Sequence, residues 1–275
     1  MALIMISRGT YREGSVLAQQ VAARLGAPCL SREAMIAEAA TRSHLPTPEL
    51  TAALDKRPAF WHRVLGERTT YLTFVRAALC EHAQGGDLVY HGYVGHLLLP
   101  GIAHVLRVQV TADREVRLRA ALAEHPTREA AAAHLARVDR ERRAWSRFLF
   151  GVDWEDPLLY DLVLNLSRIS LATAGEAVVQ AAAHPEFQPT PASAQALRDL
   201  VLQSRVAAAL AADPRTADAA LTVTADAGRV TVTGQVRWPD GMDPVAQIAE
   251  RVADVKAVDV KLSYLAVPGT TSGIP

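Results

Sequence analysis

The residues with most chemistry to offer lie near the start of the chain. Gly9 and Gly14 are separated by Thr10, Tyr11, Arg12 and Glu13 and followed by Ser15 and Val16. This is the frame of the phosphate loop G-x-x-x-x-G-K-[ST], in which backbone N–H groups and a helix N-terminus cradle phosphate. Ser15 occupies the lysine position, and Val16 the Ser/Thr position that would help hold magnesium, so the frame is present while its charged contents are changed. By pattern alone, the same stretch also reads as a strand-to-helix turn of an ordinary α/β domain.

A second group of candidates is basic. Arg137, Arg140, Arg143 and Arg147 fall at intervals of three, three and four, which puts them on one face of a helix. Such a stripe is either a solvated face laced with Asp139 and Glu141 or a phosphate clamp, for which guanidinium is well suited. His91 and His96 have no carboxylate or third histidine nearby, so they are expected as polar loop histidines bonded to backbone. No metal site is assigned.

The elements that position these residues follow from periodicity. The apolar run Ala2 to Ile6 suits a buried parallel strand, and Leu17, Val21 and Leu25 recur along one face of the helix after it. Cys29-Leu30 reads as a short strand, Ser31 as the N-cap of a helix ending near Thr41, and 47–66 as a short helix with an aromatic connection through Phe60 and Trp61. A helix over Glu67 to Ala83 precedes strands starting at Asp87 and at Ala103. Asp113 then caps a helix, Thr127 opens the arginine-bearing one, and the unit closes with a strand over Leu159 to Leu166 and a helix over Ser167 to Ala183. This alternation predicts an α/β fold, a mainly parallel sheet with helices on both faces.

Composition limits the function classes. Half of the 275 residues are hydrophobic, enough for one substantial core and a second smaller one. Lys plus Arg equals Asp plus Glu at 29 each, so no global positive field draws nucleic acid or an anionic membrane. Cys29 and Cys80 are isolated and are expected to be buried thiols in a reducing compartment. No run has the length of a transmembrane segment and no signal peptide is read at the start, which predicts a cytoplasmic protein.

Three runs together resemble a known family. Val138-Asp139-Arg140-Glu141-Arg142-Arg143-Ala144-Trp145, Gly151-Val152-Asp153-Trp154 and Leu159-Tyr160-Asp161-Leu162-Val163-Leu164-Asn165, with the opening Ile-Ser-Arg, are similar to the cytidylate kinase-like family of P-loop nucleoside monophosphate kinases. The resemblance covers about 1–183. It implies transfer of a phosphoryl group from ATP, with Mg2+, to a CMP-like nucleoside monophosphate. Gly9, Thr10, Tyr11, Arg12, Gly14 and Ser15 would then hold the cofactor phosphates. Arg137, Arg140 and Arg142 would be the catalytic arginines of a mobile lid, and Arg32, Gly92, Tyr93 and Asp139 would face the substrate. This chain departs from the family where Ser15 replaces a basic residue, where Arg12 and Glu13 replace small ones, and where Gly92-Tyr93 replaces Gly-Arg.

Pro185, Pro189 and Pro191 with Ser193 read as a stiff linker over 184–194. Beyond it lie a helix over Ala196 to Ala212, strands over Ala220 to Ala225 and Arg229 to Arg237, a helix over Val245 to Ala253 and a strand over Val255 to Leu265. This α-β-β-α-β order, with Gly234 and the closing Val-Lys-Ala-Val-Asp-Val, resembles a BON domain over 195–265, which implies an interaction module for a protein, ligand or lipid partner. A disordered tail is expected over 266–275. Two functions follow: a working cytidylate-type kinase, or a catalytically degenerate nucleotide-binding sensor or scaffold with the BON module as its output.

Overall fold

The computed structural model of the protein describes residues 2–9, 13–43, 65–236 and 242–264. Thr10, Tyr11 and Arg12, all but the last two residues of the segment expected over 47–66, and the tail over 266–275 lie outside them. The larger unit runs β1 (Leu3–Arg8), α1 (Glu13–Leu25), β2 (Cys29–Ser31), α2 (Arg32–Ser43), α3 (Leu65–Gln84), β3 (Leu88–Gly92) and β4 (Val105–Thr111). It continues with α4 (Arg114–Ala121), α5 (Arg128–Phe150), β5 (Leu162–Asn165) and α6 (Leu171–Ala183). The five strands form one sheet in the order β2-β3-β1-β4-β5, every pair parallel.

The two-residue period of β1 explains why helices cover both faces. Leu3 and Met5 pack with Leu79 of α3 and Tyr90 of β3, whereas Ile4 and Ile6 pack with Leu17 and Val21 of α1 and Val178 of α6. Local chemistry sets the boundaries. Ser31 accepts from the Ala34 N–H at 3.0 Å, and Thr127 from that of Ala130 at 3.1 Å, as N-caps do. The last strand begins later than Leu159 because Asp156 caps a tight turn over Pro157–Leu159, and α6 begins at Leu171 because Ser170 accepts from Thr173. Asp113 stands at its N-cap position without a side-chain cap bond. Cys80 is buried as expected, but Cys29 is exposed, at the start of the edge strand β2.

The smaller unit consists of α7 (Pro191–Ala212), β6 (Ala220–Asp226), β7 (Arg229–Val236), α8 (Met242–Glu250) and β8 (Ala257–Tyr264). Its sheet has the order β6-β7-β8, antiparallel then parallel. The stretch read as the end of a linker is the start of α7. Thr190 and Ser193 cap it reciprocally, and Pro191 sits in the first turn, where its missing N–H costs nothing. Leu197, Leu200 and Val201 of α7 belong to the core of the larger unit, while Leu202, Val206 and Leu210 belong to that of the smaller one. The two cores therefore share one helix. Among the described residues no helix is long and apolar enough to cross a membrane.

Candidate functional site

The loop frame lies where β1 gives way to α1, at the carboxyl end of the sheet. Gly9 is buried, and a Cβ built there would come 3.8 Å from the ring of Trp154. At Gly14 a Cβ would lie 2.7 Å from the Cβ of Arg8, so the first turn of α1 rides directly on the Arg8 side chain and only glycine permits it. Ser15 is half-buried at the start of the helix. Glu13 turns one carboxylate oxygen, Oε2, into a buried position where it has no hydrogen-bond partner among the described residues. A carboxylate there opposes the charge of a phosphate.

Three of the four residues expected on the substrate side come together. Arg32 opens α2 beside the end of β3, where a Cβ on Gly92 would lie 2.6 Å from the Arg32 Cβ and 2.5 Å from the phenol oxygen of Tyr90. Tyr93 follows, buried between Trp145 and Trp154 with both ring centroids 5.5 Å away. Arg32, Tyr90, Tyr93, Trp145 and Phe150 line a pocket of about 20 Å³, room for about one water molecule. At this size the pocket is too small for a nucleobase as it stands. The Tyr90 hydroxyl faces this region buried, with no partner of hydrogen-bond geometry among the described residues, and burial pushes its pKa up to about 12. The fourth residue, Asp139, is elsewhere, held by Arg117 of α4 at 2.7 Å.

Among the described residues, Arg142 is the expected lid arginine that bonds to the end of β1, next to the loop. It donates to the Arg8 carbonyl at 3.4 Å, its guanidinium lies 5.3 Å from the centroid of the Tyr93 ring, and its own carbonyl accepts from the Tyr93 hydroxyl. Arg137 pairs with Glu141 at 3.1 Å, Arg147 with Asp153 at 2.8 Å, and Arg143 with Asp153 and Glu155. Arg140 is exposed and makes no ion pair among the described residues. Most of the stripe is thus an ion-paired face, in which each exposed pair is worth about 0–1 kcal/mol.

Residues to which sequence reasoning gave no role hold the site together. The Tyr160 hydroxyl lies 2.7 Å from the Trp154 carbonyl and 3.3 Å from the Ser7 hydroxyl, and Ser7 also accepts from the Val94 N–H at 3.3 Å. Ser7 and Arg8 could have been found from their place at the end of β1, immediately before Gly9. The histidines depart from expectation. His91 is buried on β3 and accepts from Arg8 Nε at 3.2 Å rather than meeting backbone; burial and the adjacent guanidinium lower its pKa. His96 is buried with neither ring nitrogen bonded among the described residues, its ring edge-on to Tyr160 at 4.8 Å, and burial lowers its pKa to about 4.

The residues present fit ATP and magnesium poorly. Val16 offers no oxygen to a metal, and among the described residues no three His, Cys, Asp or Glu side chains converge.

No functionally curated protein matches the chain. A crystal structure of an uncharacterized protein from Eubacterium ventriosum ATCC 27560 is similar at 14% identity and a TM-score of 0.49, over 66% of this chain and 98% of that one. Residues 198–266 match the BON domain, so α7 from residue 198 onward, β6, β7, α8 and β8 are its elements. The match over residues 3–168 takes in more than half of the sequence and every strand of the larger sheet, and the chain belongs to the cytidylate kinase-like family.

Proposed function

We propose that this chain is a catalytically degenerate nucleotide-binding sensor whose BON domain is the output. The observation that carries this reading is the contrast between the two sides of the site. On the donor side Ser15 stands in place of a cation and Glu13 buries a carboxylate oxygen that has no partner among the described residues. On the acceptor side Arg8 and Arg32 lie around the end of β3, beside the buried Tyr90 hydroxyl. Phosphoryl transfer relies on positive charge placed where negative charge develops, and among the described residues the donor side offers Ser15 and Glu13 there instead.

The route from nucleotide to output is a packing route. Entry of a base displaces Trp145 or Phe150, and Trp145 belongs to the same core as Leu197, Leu200 and Val201 of α7. Because α7 continues into the BON core, a shift there reaches the surface that would hold a protein or lipid partner.

The test is titration calorimetry with ATP, CMP and CDP in magnesium, followed by a phosphoryl-transfer assay with every ligand that binds. Binding of a nucleotide without transfer is expected, with a change in tryptophan fluorescence from Trp145 and Trp154. Turnover would return the chain to the working kinases. Absence of binding to all three would remove the nucleotide reading.

A further inference from the structure

We infer that Arg8 is the phosphate-binding cation of this site and that Glu33 is an internal counter-ion which an incoming phosphate displaces; the inference deepens the nucleotide-binding reading and rests on it. Arg8 is the last residue of β1, next to Gly9, and its stem runs beneath Gly14 at the start of α1. Its guanidinium is anchored from behind, with Nε donating to His91 Nδ1 at 3.2 Å, while Arg142 holds its carbonyl at 3.4 Å. Position and orientation are fixed without Glu33.

The contact with Glu33 is the loose one. Arg8 Nη2 reaches Oε1 at 3.2 Å and Oε2 at 3.5 Å, and no other nitrogen of the guanidinium takes part. The pair Arg107–Asp161 closes to 2.6 Å and Arg117–Asp139 to 2.7 Å, as charge-assisted bonds do. The Glu33 side chain is also 64% exposed against 18% for Arg8, so the anion can swing into water while the cation stays in place. A phosphate oxygen replacing the carboxylate would gain a fork of donors, since Nη1 makes no bond among the described residues. The phosphate contact is thereby supplied on the acceptor side, from the strand that precedes the loop, while position 15 on the donor side stays without a cation.

Calorimetry on the full chain tests this with two probes, ADP and inorganic pyrophosphate, and three proteins: wild type, Arg8→Met and Glu33→Gln. Arg8→Met should weaken both probes at least tenfold, and Glu33→Gln should tighten both several-fold because the competing carboxylate is gone. Wild-type affinity in a folded Arg8→Met protein would overturn the inference and leave nucleotide binding standing. If Arg8→Met does not fold, Glu33→Gln decides, and affinity unchanged or weakened there overturns the assignment. Pyrophosphate binding that depends on Arg8 without ADP binding would support the inference and remove the nucleotide reading. No binding of either probe to wild type or to Glu33→Gln would overturn both.

Discussion

Arg205 of α7 grips Glu81 of α3 through two parallel contacts, Nε to Oε1 at 2.5 Å and Nη2 to Oε2 at 2.8 Å, and extends Nη1 to Asp254 beyond α8 at 3.1 Å. One guanidinium thus ties a helix of the kinase-like unit to α7 and to the α8–β8 connection of the BON domain. The bonds from Arg205 lower the pKa of Glu81, and they are largely shielded, with 25% and 22% of the two side chains exposed. Arg205→Ala should cost about 1.5–3 kcal/mol, the range for hydrogen bonds to charged groups. Urea denaturation followed by tryptophan fluorescence and by far-UV circular dichroism checks this. One coincident transition is expected in wild type, because the two cores share α7.

The pH dependence of stability should bear the mark of His96. Its pKa falls from 6.5 to about 4 on folding, so between those values the unfolded chain binds more protons than the folded one. Stability then rises with pH across this window, and folding loses it as pH falls from about 6.5 toward about 4. The full effect is roughly 3 kcal/mol by linkage. His96→Gln removes the proton, so the difference in denaturation midpoint between variant and wild type should shift steadily in the variant's favour from pH 7 to pH 4. A constant difference would show that this imidazole does not titrate in that range.

The arginines of α5 should separate into two kinds. Arg142 is half-buried over the Tyr93 ring and bonded to the Arg8 carbonyl, so Arg142→Ala should destabilise the protein by about 1–2 kcal/mol through lost packing and one lost bond. Arg140 is exposed, and Arg140→Ala should stay within about 0.5 kcal/mol of wild type. Thermal melts separate these outcomes, and calorimetry on Arg140→Ala tells whether that residue also meets phosphate.

How much of this was legible in the sequence depended on the range of the interaction. Ser31, Thr127 and the glycines at 9 and 14 act on neighbours within a few residues, and periodicity fixed the strand and helix order around them. The linker over 184–194 was misleading for a physical reason. Thr190, Pro191 and Ser193 are both turn residues and the best opening of a helix, and only the packing of Leu197, Leu200 and Val201 against the first core decides between the two. The site was legible as a frame and illegible as a charge network. Arg8 meets His91 across 83 positions, and Tyr160 meets Ser7 across 153, distances at which one sequence has no signal. The stripe on α5 shows the opposite limit, since its spacing was correct and Arg137 met Glu141 as the spacing allows, but the acids of Arg143 and Arg147, Asp153 and Glu155, lie beyond the helix.

A cation restored to the donor side should bring phosphate affinity with it. Ser15 lies in the first turn of α1, beside a loop frame already closed by Gly9 and Gly14, so Ser15→Lys places an ammonium group where phosphates would rest. Alone it should gain little, because the Glu13 carboxylate is two positions away with one oxygen buried and unpartnered. That oxygen would take the lysine as its partner, and the new pair would leave the local charge near zero. Glu13→Gly removes the competitor and, on its own, the cost of an unsatisfied buried oxygen, which is about 1–3 kcal/mol of stability. In the double variant the lysine is released to phosphate, and a charge-assisted contact of roughly 1.5–3 kcal/mol should tighten ATP by about tenfold or more. Calorimetry on wild type, both single variants and the double variant forms a complete cycle. The expected signature is coupling: a gain in the double variant larger than the sum of the single ones. Additive effects, or a folded double variant with wild-type affinity, would show that phosphates do not rest against the first turn of α1, whatever Arg8 holds on the other side.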